Sequence, residues 1–477
     1  MTSTAVRRLR RAIAAGPIGA LIGVGLAVVP TSTVQATVVH HTKAAEVAGP
    51  LDGAEVRALP FETRHAALYW EGNPGAEVTV AFGVDGMRFG PSVTVEHDEV
   101  GMQRQNGQTY GALLSAGGAT TARVTSDRPL GRLTIVALRE DGTSIQEKVV
   151  PAGQARAQTA TDGVVSREGW GADEKHRFDR RGKEVWPPVF QTVQKLVVHH
   201  TAGANDQKDG DARSTIRSIY YYHAVTQGWG DIGYNFLIDA GGVVYKGRHS
   251  HEAGSTVDTV TGENAKAQGV TAAHAYGYNS GSVGVAMLGT YTSVDAPLAT
   301  KTALKNFLVA KATAHGLDPA RQALYTNPVN GTQKTFENVP GHREVPDNAT
   351  DCPGTYFHSY VLPQMRSDMQ LMVGTPDTTK PRDPTDVSAS PSRRAAIVGW
   401  KESPGDTGTG TGGTSGVAGY DVLRRLPGEM AMTYIGSTTG TTFTDDTRVR
   451  GVVYEYVVQT YDGASNRSDG VKAPEAV

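Results

Sequence analysis

Residues 196–203 read LVVHHTAG, an apolar run that ends in two adjacent histidines. The run predicts a strand over residues 195–198. Further along, residues 340–343 read PGHR and residues 351–354 read DCPG, which contains the only cysteine of the chain, Cys352. Since one cysteine cannot form an intrachain disulfide, we interpret it as a metal ligand. A thiolate beside two imidazoles suits zinc.

The N-terminus has the pattern of a secretory signal peptide. Four arginines precede an uncharged, largely apolar stretch over residues 12–29, and residues 34–36 read VQA, with small residues at a cleavage site. We therefore predict a signal peptide over residues 1–36, a mature chain that begins near Thr37, and a secreted protein without a membrane segment after cleavage. A membrane anchor is the alternative, because the stretch approaches spanning length. Export by the Sec or the twin-arginine route stays open.

Composition sets the broad class. The 46 basic and 48 acidic residues nearly cancel, so net charge implies no nucleic-acid partner. The 57 glycines and the aromatic content of 7% indicate many turns and strands. About 440 residues remain after the signal peptide, enough for two to four domains of about 100–200 residues.

Both ends of the chain have sequence patterns that are typical of β-domains. After a loose lead-in over residues 37–50, short apolar runs alternate with glycine-rich turns over residues 51–150, which predicts a β-sandwich. A second β-sandwich is predicted over residues 387–477. Its Trp400, Tyr420 and paired Tyr454 and Tyr456 resemble a fibronectin type III domain.

The middle of the chain, residues 166–373, mixes the two kinds of element. We predict strands over residues 195–198, 234–238, 243–246 and 283–288, and helices over residues 214–226 with Ser214 as a possible N-cap, 298–315 with Gly316 as its end, and 361–372. The predicted fold class is a multidomain chain with a central α/β (α+β) domain, a mixed sheet with surrounding helices, flanked by two β-sandwiches. Linkers at residues 151–165 and 374–386 predict that residues 160–375 fold alone.

Several strings of the middle region occur in collinear order in one known family. They are SREGWGA (166–172), VHHTAG (198–203), QGWGDIGYNF (227–236), VYKGR (244–248), AH (273–274) with Asn279, VGVA (283–286), GHR (341–343) and DCPG (351–354). Together they resemble the amidase-2 and peptidoglycan recognition protein family, which includes zinc amidases.

The resemblance implies one zinc ion bound by His199, His342 and Cys352. Non-catalytic members typically lack the cysteine and the first histidine, so the intact set favours an enzyme. It further implies catalytic roles for Tyr234 and Thr350. It also implies substrate contacts for His274, Asn279 and Arg248.

Two features depart from the family. The loop between His342 and Cys352 is two residues longer than is common, and residues 252–269 form an insertion that we expect near the substrate groove. The neighbour of the first ligand, His200, should face away from the metal because adjacent strand residues point to opposite sides.

Read without the family, the same residues still make chemical sense. Three protein ligands leave one zinc position for water, whose pKa falls to about 7. The predicted function is that of a secreted N-acetylmuramoyl-L-alanine amidase, which cleaves the amide between N-acetylmuramic acid and L-alanine in peptidoglycan or muropeptides. A muropeptide-binding protein without turnover and a zinc peptidase that cuts within the stem peptide are the alternatives. Stem-peptide specificity, the ligands of the flanking domains, oligomeric state and biological role stay open.

Overall fold

The computed structural model describes residues 33–97, 107–150, 163–205, 212–252, 258–373, 380–392, 395–405, 417–429, 432–449, 451–462, 467–474 and 477. The predicted signal peptide lies outside the described residues, apart from its last four. The same holds for most of the linker predicted at residues 151–165 and for the first half of the one at 374–386.

The N-terminal region is a single antiparallel sheet of seven strands: β1 (Thr33–Leu51), β2 (Ala54–Gly72), β3 (Val78–Gly83), β4 (Val93–Thr94), β5 (Gln108–Tyr110), β6 (Leu114–Ser126) and β7 (Leu130–Val150). Their order is β1-β7-β2-β6-β3-β4, and β5 pairs with β2. Two stacked sheets were expected here, whereas the described strands form one. Residues 37–50 are not a loose lead-in, because β1 pairs with β7 along its whole length.

Both faces of this sheet are covered. Ala66 and Leu68 of β2 point into a core formed within the N-terminal region, while Ala67 between them packs against the middle of the chain. In β7, Ile135 belongs to the first core and Val136 to the second. Successive residues of a strand point to opposite faces of the sheet. One face therefore packs within the N-terminal region, and the other packs against the middle of the chain.

The central domain contains a mixed five-stranded sheet with three helices and two further strand pairs. Its elements are β8 (Val164–Val165), β9 (Phe190–Gln191), β10 (Lys195–His200), α1 (Ala212–Tyr221), β11 (Phe236–Ile238), β12 (Val244–Lys246), β13 (Gly269–Val270), β14 (Ser282–Met287), α2 (Leu298–His315), β15 (Gln322–Thr326), β16 (Gln333–Glu337) and α3 (Leu362–Val373). The sheet order is β10-β14-β11-β12-β8. Strands β10 and β11 run parallel to β14, and β11 forms the expected hairpin with β12. The predicted mixed sheet is present.

The helices cover the two faces of the sheet. Phe236, Ile238 and Val285 pack with α2 and α3, and Leu237 and Ala286 between them face the side of α1. Helix α2 has the predicted bounds, and Gly316 ends it in the left-handed region at φ 64°. The prediction for α1 was less accurate, because Ser214 lies inside the helix and residues 222–226 continue it as a π-helical turn.

The C-terminal region contains β17 (Thr385–Pro391), β18 (Ala396–Lys401), β19 (Val417–Arg425), β20 (Thr433–Thr438), β21 (Thr442–Asp445), β22 (Glu455–Asp462) and β23 (Val471–Lys472). Three strands form the sheet β17-β18-β21 and four form the sheet β20-β19-β22-β23. Val398 and Trp400 of the first sheet share one buried core with Tyr420, Val422 and Val458 of the second.

The three regions share a buried core around α1. It combines Ile216 and Ile219 of α1 with Ala67 and Leu138 from the N-terminal sheet and with Leu423 from the C-terminal region. Arginines of the same helix bind carboxylates on both sides: Arg217 pairs with Glu140 of β7, and Arg213 pairs with Asp446. This shared core is at odds with the expectation that residues 160–375 fold alone. No helix among the described residues is long and apolar enough to cross a membrane.

Candidate metal centre

The centre forms where β10 ends. His199 lies one residue before the end of this strand, with Ala286 of β14 opposite it in the parallel register. The segment that carries His342 docks on the same strand, because the Val198 N–H donates to the Pro340 carbonyl at 2.8 Å. The Arg343 N–H in turn donates to the Cys352 carbonyl at 2.8 Å. Backbone pairing thus brings the two distant motifs to one strand end.

The three predicted ligands converge. Ligand atoms of His199, His342 and Cys352 all lie within 4.8 Å of one another, and all three residues are buried. The Nδ1 atom of His199 is 3.6 Å from the Cys352 Sγ atom, and the two imidazole centroids are 4.6 Å apart. Two nitrogens and one sulfur at this spacing form a donor set that suits zinc, with a fourth position left for water.

A second layer of contacts orients these ligands. Nε2 of His199 is 3.1 Å from Nδ1 of His274, and Nε2 of His342 is 3.1 Å from Oδ1 of Asn348. In both histidines Nε2 is thereby engaged, which leaves Nδ1 for a metal. The backbone N–H of His200 donates to the Cys352 Sγ atom at 3.3 Å and stabilises negative charge on sulfur.

The histidines are in the form that binds metal. Burial, with further contributions from His342, His274 and His200, holds the pKa of His199 well below its usual range. Burial and the neighbouring His342 lower the pKa of His274 to about 3. Neutral imidazoles offer a lone pair to a cation, so the centre is ready for a metal at neutral pH.

His274 occupies a different position from the one expected. Its side chain is fully buried and packs on Gly284 of β14, where an added Cβ would come within 2.3 Å of the ring. The ring contacts His199 rather than a groove. In this structure it is a positioning residue, because burial behind a ligand leaves no surface for a substrate.

Arg248 and Asn279 are also engaged within the protein. Arg248 is fully buried, and its guanidinium donates to Asp231 and to the carbonyls of Trp186 and Thr271. The Asn279 Oδ1 atom accepts the N–H groups of residues 274 and 275. In this structure both groups hold the fold around the site, and their contacts with substrate stay predictions.

Tyr234 and Thr350 line the cavity at the centre, together with the three ligands. The Tyr234 ring centroid lies 5.6 Å from that of His199. Tyr234 precedes β11, which begins at Phe236 rather than at residue 234 as predicted, and β14 separates this strand from β10. The Thr350 hydroxyl accepts the Cys352 N–H at 3.1 Å, which fixes the ligand loop.

The insertion lies away from this centre. Glu263 contacts Lys311 and His315 of α2, and Gly262 lies against Phe236 on the same side of the sheet. None of its described residues lines the cavity at the metal centre. The expectation that the 252–269 insertion lies beside the groove is therefore not met by the part of it that the structure describes.

One side of the cavity comes from another region of the chain. Glu96, His97 and Ala112 of the N-terminal sheet region line it, and Glu96 Oε2 is 3.3 Å from His200 Nε2. His200 Nδ1 accepts the Tyr291 N–H, so its Nε2 carries the proton and donates to Glu96. His200 is thus buried and hydrogen-bonded, and it lines the cavity together with the three predicted ligands. No sequence signal pointed to Glu96.

Comparison with known proteins agrees with this architecture. Residues 189–355 match the family described as N-acetylmuramoyl-L-alanine amidase. Peptidoglycan-recognition protein SC2 of Drosophila simulans is 35% identical over 192 residues, which are 40% of this chain and 80% of that protein. The chain belongs to the peptidoglycan recognition protein family.

Other peptidoglycan recognition proteins and amidases match the same region. Human N-acetylmuramoyl-L-alanine amidase is 33% identical over 161 residues, 33% of this chain and 22% of the human protein. The solved structure of wild-type Drosophila PGRP-LB aligns over 42% of this chain and 94% of its own, at 25% identity and a TM-score of 0.29. The family match includes His199, His342 and Cys352 but not Glu96, so one side of the cavity comes from residues outside the matched region.

Proposed function

We propose that this protein is a secreted, zinc-dependent N-acetylmuramoyl-L-alanine amidase. The observation that carries the proposal is the convergence of His199, His342 and Cys352 in one buried cluster beside Tyr234 and Thr350. A binding protein has no need of a soft sulfur ligand with two oriented imidazoles. Peptidoglycan and muropeptides are the proposed partners, in keeping with the names of the relatives.

Different residues of the chain have different roles in the proposed hydrolysis. When bound by His199, His342 and Cys352, zinc activates water at neutral pH and polarises the scissile carbonyl. The Tyr234 phenol donates a hydrogen bond to the oxygen that becomes negative as the amide carbon turns tetrahedral. Thr350 holds the Cys352 loop and places a hydroxyl in the same cavity. His274 and Asn348 keep the two ligand imidazoles in the productive tautomer.

The flanking regions support a secreted, modular protein. The signal pattern over residues 1–36 supports export. The three-stranded and four-stranded sheets that share a core around Trp400 and Tyr420 support a fibronectin type III-like domain over residues 387–477. The N-terminal region over residues 51–150, with β1 added, is proposed as the other flanking domain.

Digestion of purified peptidoglycan, with product mass spectrometry, tests the function. An amidase releases intact stem peptides with a free L-alanine amine and leaves lactyl carboxylates on the glycan. Shorter peptides would indicate a zinc peptidase, and binding without product would indicate a recognition protein. A chelator should stop the reaction and added zinc restore it.

Variants assign the reaction to the cluster. Cys352→Ala should lose zinc and activity together, because two histidines hold zinc poorly. Asp351→Ala is the matched control, since this neighbouring carboxylate is exposed and lies 3.5 Å from the Arg343 guanidinium. Full zinc occupancy in Cys352→Ala, by elemental analysis, would contradict the assignment.

A further inference from the structure

The N-terminal sheet region closes the cavity of the metal centre. The cavity measures about 30 Å³, and its lining includes Glu96, His97 and Ala112 beside the ligand residues. Sites that hold drug-sized ligands measure about 300–1,000 Å³, whereas a cavity of about 10–15 Å³ already holds one water. A muramoyl group with its first amino acid therefore does not fit while these residues stay in place.

Two short segments make this cover, and they are fixed to one another. The Ala112 N–H donates to the Glu96 carbonyl at 2.8 Å, and the Gly111 N–H donates to the Leu68 carbonyl of β2 at 2.7 Å. The His97 ring packs edge-on against Trp70. These bonds tie the segments to the strands of the N-terminal sheet, and Tyr222 of the central domain adds a hydrogen bond to the Gly111 carbonyl at 3.0 Å.

The cover rests on the loops that follow the central strands. Glu96 accepts from His200 Nε2 at 3.3 Å and from the Thr292 hydroxyl at 3.4 Å. The carbonyl of Leu113 lies so close to Gly203 that an added Cβ there would be 3.1 Å from it. These contacts include residues that follow His199 in the chain, so the cover lies over the site where β10 ends.

A second set of contacts holds the sheet on α1. Glu140 of β7 accepts from Arg217, and His65 of β2 contacts the hydroxyls of Ser218 at 3.0 Å and Thr215 at 3.2 Å. Together with the small apolar residues of β2 and β7 in the shared core, this interface mixes ion pairs, hydrogen bonds and apolar contacts. The ion pair and the hydrogen bonds can be removed by single substitutions, which should weaken the docking of the sheet on α1.

We propose that the N-terminal sheet region is an inhibitory cover of the amidase centre, which keeps the centre closed until the region moves off α1 and the strand-end loops. The inhibitory role rests on the proposed function, whereas the contacts that form the cover do not depend on it. In the closed arrangement both a muropeptide and a chelator are kept from the centre. Weakening the interface should therefore expose metal and activity together.

Charge reversal at the interface tests the cover in the full chain. Glu140→Lys places two cations side by side and should open the interface, and Glu96→Ala removes the carboxylate that contacts His200. Glu62→Lys is the matched control, because Glu62 is an exposed residue of β2. All variants are loaded with zinc, and circular dichroism and thermal melting confirm that they are folded. If Glu140→Lys does not fold, Glu96→Ala alone is compared with the wild type and with Glu62→Lys.

Two rates are measured in each variant: extraction of zinc by a chromogenic chelator and hydrolysis of a soluble muropeptide. We expect Glu140→Lys, alone and combined with Glu96→Ala, to raise both by at least about tenfold over the wild type and Glu62→Lys, since the open population limits both. Faster extraction without hydrolysis in any protein would uphold the cover and refute the proposed amidase. Equal rates in the wild type and in the folded interface variants would overturn the cover.

Discussion

At the residue scale, the chemistry depends on which imidazole nitrogen each histidine keeps for a metal. His199 and His342 both engage Nε2 with a neighbour, and Cys352 accepts a backbone N–H. These contacts remove alternative orientations of the ligands, so the cluster is preorganised for a cation. The first two predictions concern residues that touch this cluster or its substrate.

Tyr234→Phe should slow turnover and leave the fold unchanged. The ring packs beside His199, and phenylalanine preserves that packing while it removes the hydroxyl. Loss of one oxyanion donor typically costs about 10²–10³ in kcat. Zinc content and KM on a soluble muropeptide should stay near the wild-type values, because the substrate carbonyl carries less charge than the transition state. Wild-type kcat in a folded, zinc-loaded variant would show that Tyr234 only packs.

His274→Ala should weaken metal binding. The change leaves Nε2 of His199 without its buried partner, and loss of such an outer contact typically reduces metal affinity by about 10–100-fold. Competition with a chelator of known affinity measures the zinc Kd independently of catalysis. His274→Gln, which can still accept a hydrogen bond, should recover part of the affinity. An unchanged Kd in both variants would show that this contact is dispensable.

At the element scale, the small residues of β14 leave space for the imidazoles of the metal centre. It lies between β10 and β11, and its small residues Gly284 and Ala286 face the side on which His199 and His274 pack. A larger side chain at either position would occupy the space of an imidazole. The composition of a central strand thus contributes to the metal site without supplying a ligand.

Gly284→Ala is therefore expected to reproduce the effect of His274→Ala. The new methyl would lie 2.3 Å from the His274 ring, so the ring must move and its contact with His199 is lost. Crowding of this kind in a packed core typically costs about 1–3 kcal/mol of stability. Thermal unfolding and the zinc Kd are the measurements. As control, Gly90→Ala adds a Cβ whose nearest neighbour lies 3.7 Å away, an ordinary contact, at a position outside the left-handed region of φ. A wild-type zinc Kd in Gly284→Ala would show that the His274 ring can adopt another position without weakening metal binding.

At the scale of the whole molecule, α1 joins three regions into one folded body. Its apolar side contributes to the shared core, and its arginines bind carboxylates of both flanking regions. Excision of residues 160–375 would expose part of this core, and independent folding of that fragment stays a prediction. The docking of the N-terminal region on α1 is the part of this assembly that pH can alter.

Docking on α1 should weaken as pH falls from about 6.5 towards 4. Burial, with Arg64 and Arg217 adding to it and Glu140 opposing it, lowers the pKa of His65 from 6.5 to about 4. The undocked imidazole binds the proton more tightly, so stability is present above pH 6.5 and is lost as pH falls towards 4. The difference corresponds to about 3 kcal/mol. Burial alone would raise the pKa of Glu140, but His40 and Arg217 lower it to about 2, so this carboxylate stays charged.

Hydrogen exchange of α1 at pH 7 and pH 5, corrected for intrinsic exchange rates, measures this effect. The wild type should lose protection at pH 5, whereas His65→Gln, which does not titrate, should respond much less. The same loss of protection in both proteins would assign the pH dependence to groups other than His65.

The sequence by itself determined the local structure and the ligand set. Helix α2 ends at Gly316 as predicted, because a glycine in the left-handed region is a local signal for the end of a helix. The motifs around His199, His342 and Cys352, through their resemblance to a known family, predicted the donor set that the structure brings together. The roles of Tyr234 and Thr350 stay predictions.

Only the tertiary structure decided what surrounds these residues. It placed His274 behind His199 and enclosed Arg248, since burial depends on contacts between strands that are far apart in the chain. It also brought Glu96 to His200, although 104 positions (200 − 96) separate them. No local periodicity encodes a contact over that distance. The closure of the metal centre follows from how whole sheets pack, which is a property of the folded molecule.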